Sequence, residues 1–222
     1  MADYSDTIAR VEDYFDRTAT RTWERLTSDA PVSRIRQTVR EGRDRMRDVM
    51  LSRLPADLKG ARVLDAGCGA GQMTMELAAR GADVTAVDIS PALIDIAQSR
   101  LPAHHAPQVR FAAGDMLCDS HGAFDFVLAM DSLIYYTAPD IGRALERLGG
   151  RTAEAVVFTV APKTPFLMAF WTMGKLFPRS DRSPIMIPHA FEPLAAATGG
   201  NLQQVERVSR GFYISECLEY RP

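Results

Sequence analysis

Apolar residues recur along this chain in two rhythms, and the change from one to the other divides it. In residues 5–28, Ile8, Val11, Phe15, Ala19, Trp23 and Leu26 return at helical spacing. Pro31 interrupts, and residues 32–54 predict a second helix with Ile35, Val39, Met46, Val49 and Met50 turned inward. From residue 62 onward, short apolar runs take over: residues 62–65, 83–88, 109–113, 124–130 and 153–161 read as strands. Helical spacing returns between them, over residues 72–80, 91–101 and 140–148. Strands alternating with helices predict a parallel sheet covered on both faces, and the almost wholly apolar run 124–130 suits its centre. Residues 102–107 read as a loop that carries His104 and His105 on the surface. Residues 189–198 predict another helix, stopped by Gly199-Gly200, and residues 202–208 and 212–219 a hairpin around Arg210-Gly211.

The chemistry gathers at the predicted strand ends. The first strand closes on Asp65, and Gly67, Gly69 and Gly71 follow at alternate positions before a helix begins. A chain that leaves a strand and turns straight into a helix needs backbone angles that a Cβ disfavours; glycine supplies them and lets a ligand approach the main chain. A tight turn without a ligand is the plainer reading. The strand before, the helix after and a second acid downstream weigh against it. That acid is Asp88, at the end of the next strand, where a carboxylate accepts both hydroxyls of a ribose. Ser90-Pro91 follows as an N-cap serine with proline at the first helical position. A dinucleotide enzyme is disfavoured, because the third glycine comes one residue early for the G-x-G-x-x-G fingerprint.

The segment Leu64-Asp65-Ala66-Gly67-Cys68-Gly69-Ala70-Gly71, with Val87-Asp88-Ile89-Ser90-Pro91 after it, resembles the cofactor region of class I S-adenosylmethionine-dependent methyltransferases. The resemblance spans roughly residues 55–160. It implies a Rossmann-like α/β fold with a seven-stranded sheet, its last strand reversed. It also implies S-adenosyl-L-methionine as cofactor and S-adenosyl-L-homocysteine as product. Asp65, Ala66, Gly67, Cys68 and Gly69 then face the amino-acid end of the cofactor, Asp88 holds the ribose, Asp115 accepts the adenine amino group and Met116 packs on the ring, with Ile89 and Met130 as further cofactor-binding candidates.

Composition narrows the remaining classes. The chain has 222 residues and a net charge of −2, which gives no general case for nucleic acid. Its three cysteines, Cys68, Cys118 and Cys217, show neither zinc nor disulfide spacing, so a reduced, cytoplasmic setting is expected and no bound metal. The polar, acidic start is unlike a secretory signal, and no apolar run approaches the ~20 residues that span a bilayer. Charge is locally uneven: residues 17–53 hold ten arginines against five acidic residues. A solvated helix face and a site for an anionic ligand or lipid headgroup explain that excess equally well. Residues 162–188 exceed an ordinary connection and are rich in Met and aromatic side chains. A core helix is one reading; the place after a carboxyl-edge strand favours a lid over an apolar substrate.

A closer resemblance rests on Tyr14-Phe15 with Arg21-Thr22-Trp23, on Asp131-Ser132-Leu133-Ile134-Tyr135-Tyr136, and on Ala161-Pro162-Lys163-Thr164-Pro165. Leu176-Phe177-Pro178, Arg182-Ser183-Pro184 and Phe212-Tyr213-Ile214-Ser215 extend it. Together these are similar to magnesium-protoporphyrin IX methyltransferases over nearly the whole chain. The likeness implies methyl transfer to one propionate of the magnesium porphyrin in (bacterio)chlorophyll biosynthesis, the magnesium belonging to the substrate. It divides the chain into a helical arm, residues 1–54, and a methyltransferase domain, residues 55–222, with the lid inserted at 162–188. It implies Tyr14 and, as a weaker candidate, Tyr135 for catalysis; Tyr135 stands where oxygenic relatives carry histidine. Phe15, Trp23, Phe166, Phe170 and Trp171 become candidates for substrate contact. A magnesium-chelatase subunit and the photosynthetic membrane are further candidate partners. Two other functions stay open: methylation of a different amphipathic acid, and a porphyrin carrier or activator without catalysis.

Overall fold

The computed structural model describes residues 33–165, 167–168, 186–199 and 201–222, together with Val11 and Tyr14. Among the described residues, seven strands form the main path of one sheet: β1 (Arg62–Ala66), β2 (Asp83–Asp88), β3 (Val109–Ala113), β4 (Phe124–Ala129), β5 (Thr152–Pro162), β7 (Leu202–Arg210) and β8 (Tyr213–Tyr220). Their spatial order is β3-β2-β1-β4-β5-β8-β7, and the two-residue β6 (Pro188–His189) adds to the end of β5. The strands from β3 to β5 pair parallel, while β8 runs antiparallel to both β5 and β7. The order reverses direction between β1 and β4, and ligands of open α/β sheets bind outside the carboxyl ends of the strands at such a switch point.

Strand alternation sends neighbouring side chains to opposite faces, which gives two cores. Val63, Leu128 and Val157 pack beneath α1 (Arg34–Leu51) and α2 (Gln72–Ala79), with Ile94 of α3 (Pro91–Arg100). Leu64, Val127, Val156 and Phe158 pack on the other face against α4 (Ala138–Gly149) and Leu194 of α5 (Phe191–Ala197). Local chemistry sets the helix starts. The Ser90 hydroxyl accepts the Leu93 N–H at 3.3 Å with Pro91 behind it, as expected. Thr137 and Asp140 form a capping box, so α4 begins at Ala138 rather than at Asp140.

Three expectations need correction. Residues 102–107 were expected to be a plain loop; Ala103–Gln108 form a 3-10 helix, with the His104 and His105 rings 4.0 Å apart. The helix expected from residue 189 begins at Phe191, because His189 pairs with β5 and its ring meets the Tyr136 carbonyl at 3.0 Å. Ile35 was expected inward and is 55% exposed, since α1 buries mainly its C-terminal half, from Gly42 to Leu51.

Contacts between α1 and the β7–β8 hairpin position the site. A Cβ on Gly42 would lie 2.7 Å from the Tyr213 ring, so only glycine lets the helix settle that close. At the hairpin turn, Gly211 (φ +58°) leaves no room for a Cβ beside Thr38. Ion pairs Arg45–Glu206 and Arg210–Glu41 join the same elements, and Arg53, just past the end of α1, pairs with Glu219 of β8.

Candidate functional site

The carboxyl ends of β1, β2 and β4, with the turn after β3, form a cleft. Its wall includes Asp65, Gly67, Cys68, Gly69, Asp88, Ile89, Asp115, Met116, Met130 and Tyr135. Ten residues expected from separate stretches of sequence therefore share one surface. Ala66 does not: it is fully buried in the core beneath α4. Phe15, Trp23, Phe166, Phe170, Trp171 and most of the expected lid lie outside the described residues.

Each wall residue is set by its strand. The glycine turn follows β1 with Gly67, Gly69 and Gly71 all at positive φ, and the Gly67 and Cys68 N–H groups donate to the Val87 carbonyl. A Cβ on Gly67 would strike Ser132 at 2.4 Å, whereas at Gly69 it would meet nothing within 4 Å, so the main chain is bare there. Asp88 is 7% exposed and held by two backbone donors, Gly69 N–H at 2.8 Å and Ser90 N–H at 3.0 Å. Asp115 is oriented by the Leu117 N–H at 2.9 Å. The Asp65 carboxylate accepts the Thr74 hydroxyl at 2.5 Å. Burial pushes its pKa up to about 7; the Thr74 hydrogen bond opposes that rise and the nearby Asp88 charge adds to it.

A second group of residues completes the cleft: Arg43 and Arg47, which sequence offered only among ten arginines, and Asp131, Ser132 and Tyr136, which it offered as part of one segment without individual roles. Asp131 is the non-glycine residue at positive φ among those described, at +56°. Its carboxylate accepts hydrogen bonds from Arg43, from the Tyr213 hydroxyl at 3.1 Å and from the Thr159 hydroxyl at 3.2 Å. Its N–H donates to Thr159 Oγ1 at 2.8 Å. Arg43 and Arg47 stand one turn apart on α1 and stay inside the cleft, while Arg34, Arg36 and Arg45 are exposed. The ten arginines of residues 17–53 looked alike in sequence. Tyr135 is half-buried; burial, with Asp131 and Tyr14 nearby, raises its hydroxyl well above the usual phenol range.

The buried Ser132 hydroxyl has no hydrogen-bond partner among the described residues, and it borders the cleft beside Gly67. An orphaned hydroxyl, a bare glycine backbone and three carboxylates suit a polar, partly cationic nucleoside such as S-adenosylmethionine.

Comparison with known proteins agrees with this geometry. A methyltransferase-domain profile matches residues 63–152, and the profile "Magnesium-protoporphyrin IX methyltransferase C-terminus" matches residues 129–222. The magnesium-protoporphyrin O-methyltransferase of Rhodobacter capsulatus is 67% identical over 222 residues, 100% of this chain and 99% of that one. The corresponding Synechocystis protein is 30% identical over 216 residues, covering 94% of each. The crystal structure of the Synechocystis magnesium protoporphyrin IX methyltransferase with bound SAH aligns with a TM-score of 0.82 at 29% identity, covering 96% of this chain and 99% of that one. With its sheet order, its cleft and a relative of such identity along its full length, this chain belongs to the magnesium-protoporphyrin O-methyltransferase family.

Proposed function

We propose that this protein transfers the methyl group of S-adenosylmethionine to a propionate carboxylate of magnesium protoporphyrin IX, giving the monomethyl ester of the chlorophyll and bacteriochlorophyll route. The 67% identity to the Rhodobacter capsulatus enzyme along the entire chain carries the reading, with the cleft at the strand ends in support. When bound, S-adenosylmethionine supplies an electrophilic methyl group on a sulfonium centre. The protein's residues then have three tasks: to hold the nucleoside, to align a carboxylate and to keep water out.

Asp88 takes the ribose hydroxyls, Asp115 the adenine amino group, and Met116 packs on the ring. Gly67 to Gly69, Ser132 and Asp65 receive the amino-acid end. A propionate has a pKa near that of glutamate, about 4.3, so it arrives ionised and needs no strong base. Accordingly, Tyr135 keeps its proton at neutral pH and serves as a hydrogen-bond donor rather than a base. Tyr14, near enough to Tyr135 to raise its pKa, orients the attacking carboxylate. Opposite charges meet and cancel in this reaction, so excluding water from the cleft favours it, and in-line alignment supplies a further share of the rate.

A membrane contact also fits. Exposed Ile35 lies one turn before Thr38, which touches Gly211; exposed Phe212 follows Gly211. Exposed Arg34 and Arg36 flank Ile35 in sequence, Arg210, paired with Glu41, precedes Gly211, and no described helix is long and apolar enough to cross a bilayer. Apolar side chains ringed by arginines suit the face of an anionic membrane. A magnesium-chelatase subunit delivering the porphyrin is the second partner we propose.

The test is direct. Pure protein incubated with the donor and magnesium protoporphyrin should yield the monomethyl ester by mass. Methylation of another amphipathic acid in preference, or porphyrin binding with no ester formed, would replace this reading.

A further inference from the structure

We propose that Arg47 is the carboxylate anchor of the cleft, and that the carboxylate it holds is the one at the amino-acid end of the donor; this rests on the reading of the cleft as a site for S-adenosylmethionine. Arg47 lines the cleft with its side chain only 15% exposed. Its hydrogen-bond partner among the described residues is Asp44, 2.7 Å from Nη2 and 47% exposed. A solvated ion pair on one helix is the simpler explanation of the two residues. It accounts poorly for the burial, because a pair three residues apart with one member in water contributes little and draws neither side chain inward. The other N–H donors of the guanidinium have no acceptor among the described residues. Donors withdrawn from water call for acceptors, and a ligand in the cleft supplies them.

Packing puts this part of α1 beside the glycine turn. Met46 and Met50 share a buried core with Cys68 of that turn and with Met73 of α2. One turn earlier, α1 meets the end of β4 instead, where Arg43 pairs with Asp131. Charge gives the second reason. Among the described residues of the cleft wall, the acids are Asp65, Asp88, Asp115 and Asp131, and the cations are Arg43 and Arg47. Asp131 neutralises Arg43 inside the cleft, whereas the acid beside Arg47 stands in water. The amino-acid end of the donor carries an ammonium and a carboxylate together. Asp65, on β1, suits the first and repels the second. Arg47 suits the second, because a planar fork of N–H donors matches both oxygens of a carboxylate. Once that carboxylate is bound, the charge of Arg47 no longer opposes the sulfonium of the same molecule. A propionate of the acceptor offers the same chemistry; the position beside the glycine turn favours the donor.

The experiment uses two pairs of probes with the full chain: S-adenosylhomocysteine and its decarboxylated analogue, and magnesium protoporphyrin and its dimethyl ester. Calorimetry reads the first pair and fluorescence quenching the second, for wild type, Arg47→Gln and Arg47→Lys. Arg47→Gln should weaken S-adenosylhomocysteine about 10- to 100-fold, the range of lost charge-assisted hydrogen bonds. The decarboxylated analogue should bind this variant at least as well as it binds wild type, which also shows that the variant is folded. Arg47→Lys should recover part of the loss, since it restores the charge without the planar fork. Equal losses for S-adenosylhomocysteine and its analogue, or no loss for any probe, would overturn the anchor. A loss confined to the porphyrin diacid, with its diester and S-adenosylhomocysteine spared, would overturn the assignment to the donor and move Arg47 to the acceptor. Wild type that binds neither nucleoside would defeat the reading of the cleft itself, a failure separate from that of Arg47.

Discussion

Asp65 is the residue whose environment departs furthest from water among the carboxylates of the cleft. Its folded pKa of about 7 lies above the usual carboxylate value, so the cofactor-free protein holds a proton there more readily than the unfolded chain does. The stability this group contributes is therefore full at acid pH and is lost as pH rises toward 7. A bound cation reverses the preference, because positive charge favours the ionised carboxylate. Cofactor affinity should rise with pH below 7, up to about tenfold per unit, and level off above it. Calorimetry in buffers of different ionisation enthalpy should detect a proton released on binding; no release at pH 6.5 would exclude Asp65 from that role. Asp88→Ala should weaken the cofactor about 10- to 100-fold, the size expected when a charged acceptor for two hydroxyls is lost. Tyr14→Phe should lower turnover with cofactor affinity retained, and unchanged turnover would remove Tyr14 from the mechanism.

At the scale of elements, the docking of α1 against the β7–β8 hairpin decides which α1 side chains line the cleft. Tyr213 packs under Gly42 and donates to Asp131, so one ring joins helix, strand and cleft. Gly42→Ala should cost about 1–3 kcal/mol through overpacking, lowering Tm by several degrees. Acceptor turnover should fall further than cofactor affinity, since the proposed cofactor residues Asp65 and Asp88 stand on β1 and β2. An unchanged Tm would mean that the helix moves aside freely. His189 anchors β6 to the cleft loop through the Tyr136 carbonyl, and Ile187 N–H donates to the Ile134 carbonyl at 2.8 Å. Burial lowers the His189 pKa, so its contribution is present above the ordinary histidine value and disappears as pH falls through the lower folded one. Melting scans should show wild type losing more stability than His189→Gln on acidification below pH 6.

For the molecule as a whole, the net charge of −2 conceals an arginine-rich end with Ile35 and Phe212 exposed. Flotation with phosphatidylglycerol vesicles should recover the protein at low salt and lose it at high salt; Phe212→Glu should abolish recovery, and failure of wild type to float at any salt would sink the membrane contact. At this scale the division between sequence and structure is also clearest. Local patterns were enough for the α/β alternation, the glycine turn and the acids at successive strand ends, because strand and helix periods and the needs of a tight turn are properties of neighbouring residues. The 3-10 turn at Ala103–Gln108 and the late start of α5 escaped for the opposite reason: in the second, pairing with β5 outweighed helical spacing. Arg43 and Asp131 are 88 residues apart, and Tyr213 lies 82 beyond Asp131. Nothing local distinguishes Arg43 from its nine arginine neighbours in residues 17–53. The chain's own residues determined the sheet, the cofactor turn and the family likeness; only folding, by laying α1 across the β7–β8 hairpin, decided which charges enter the cleft, because burial and pairing depend on what packs against a side chain and not on what precedes it.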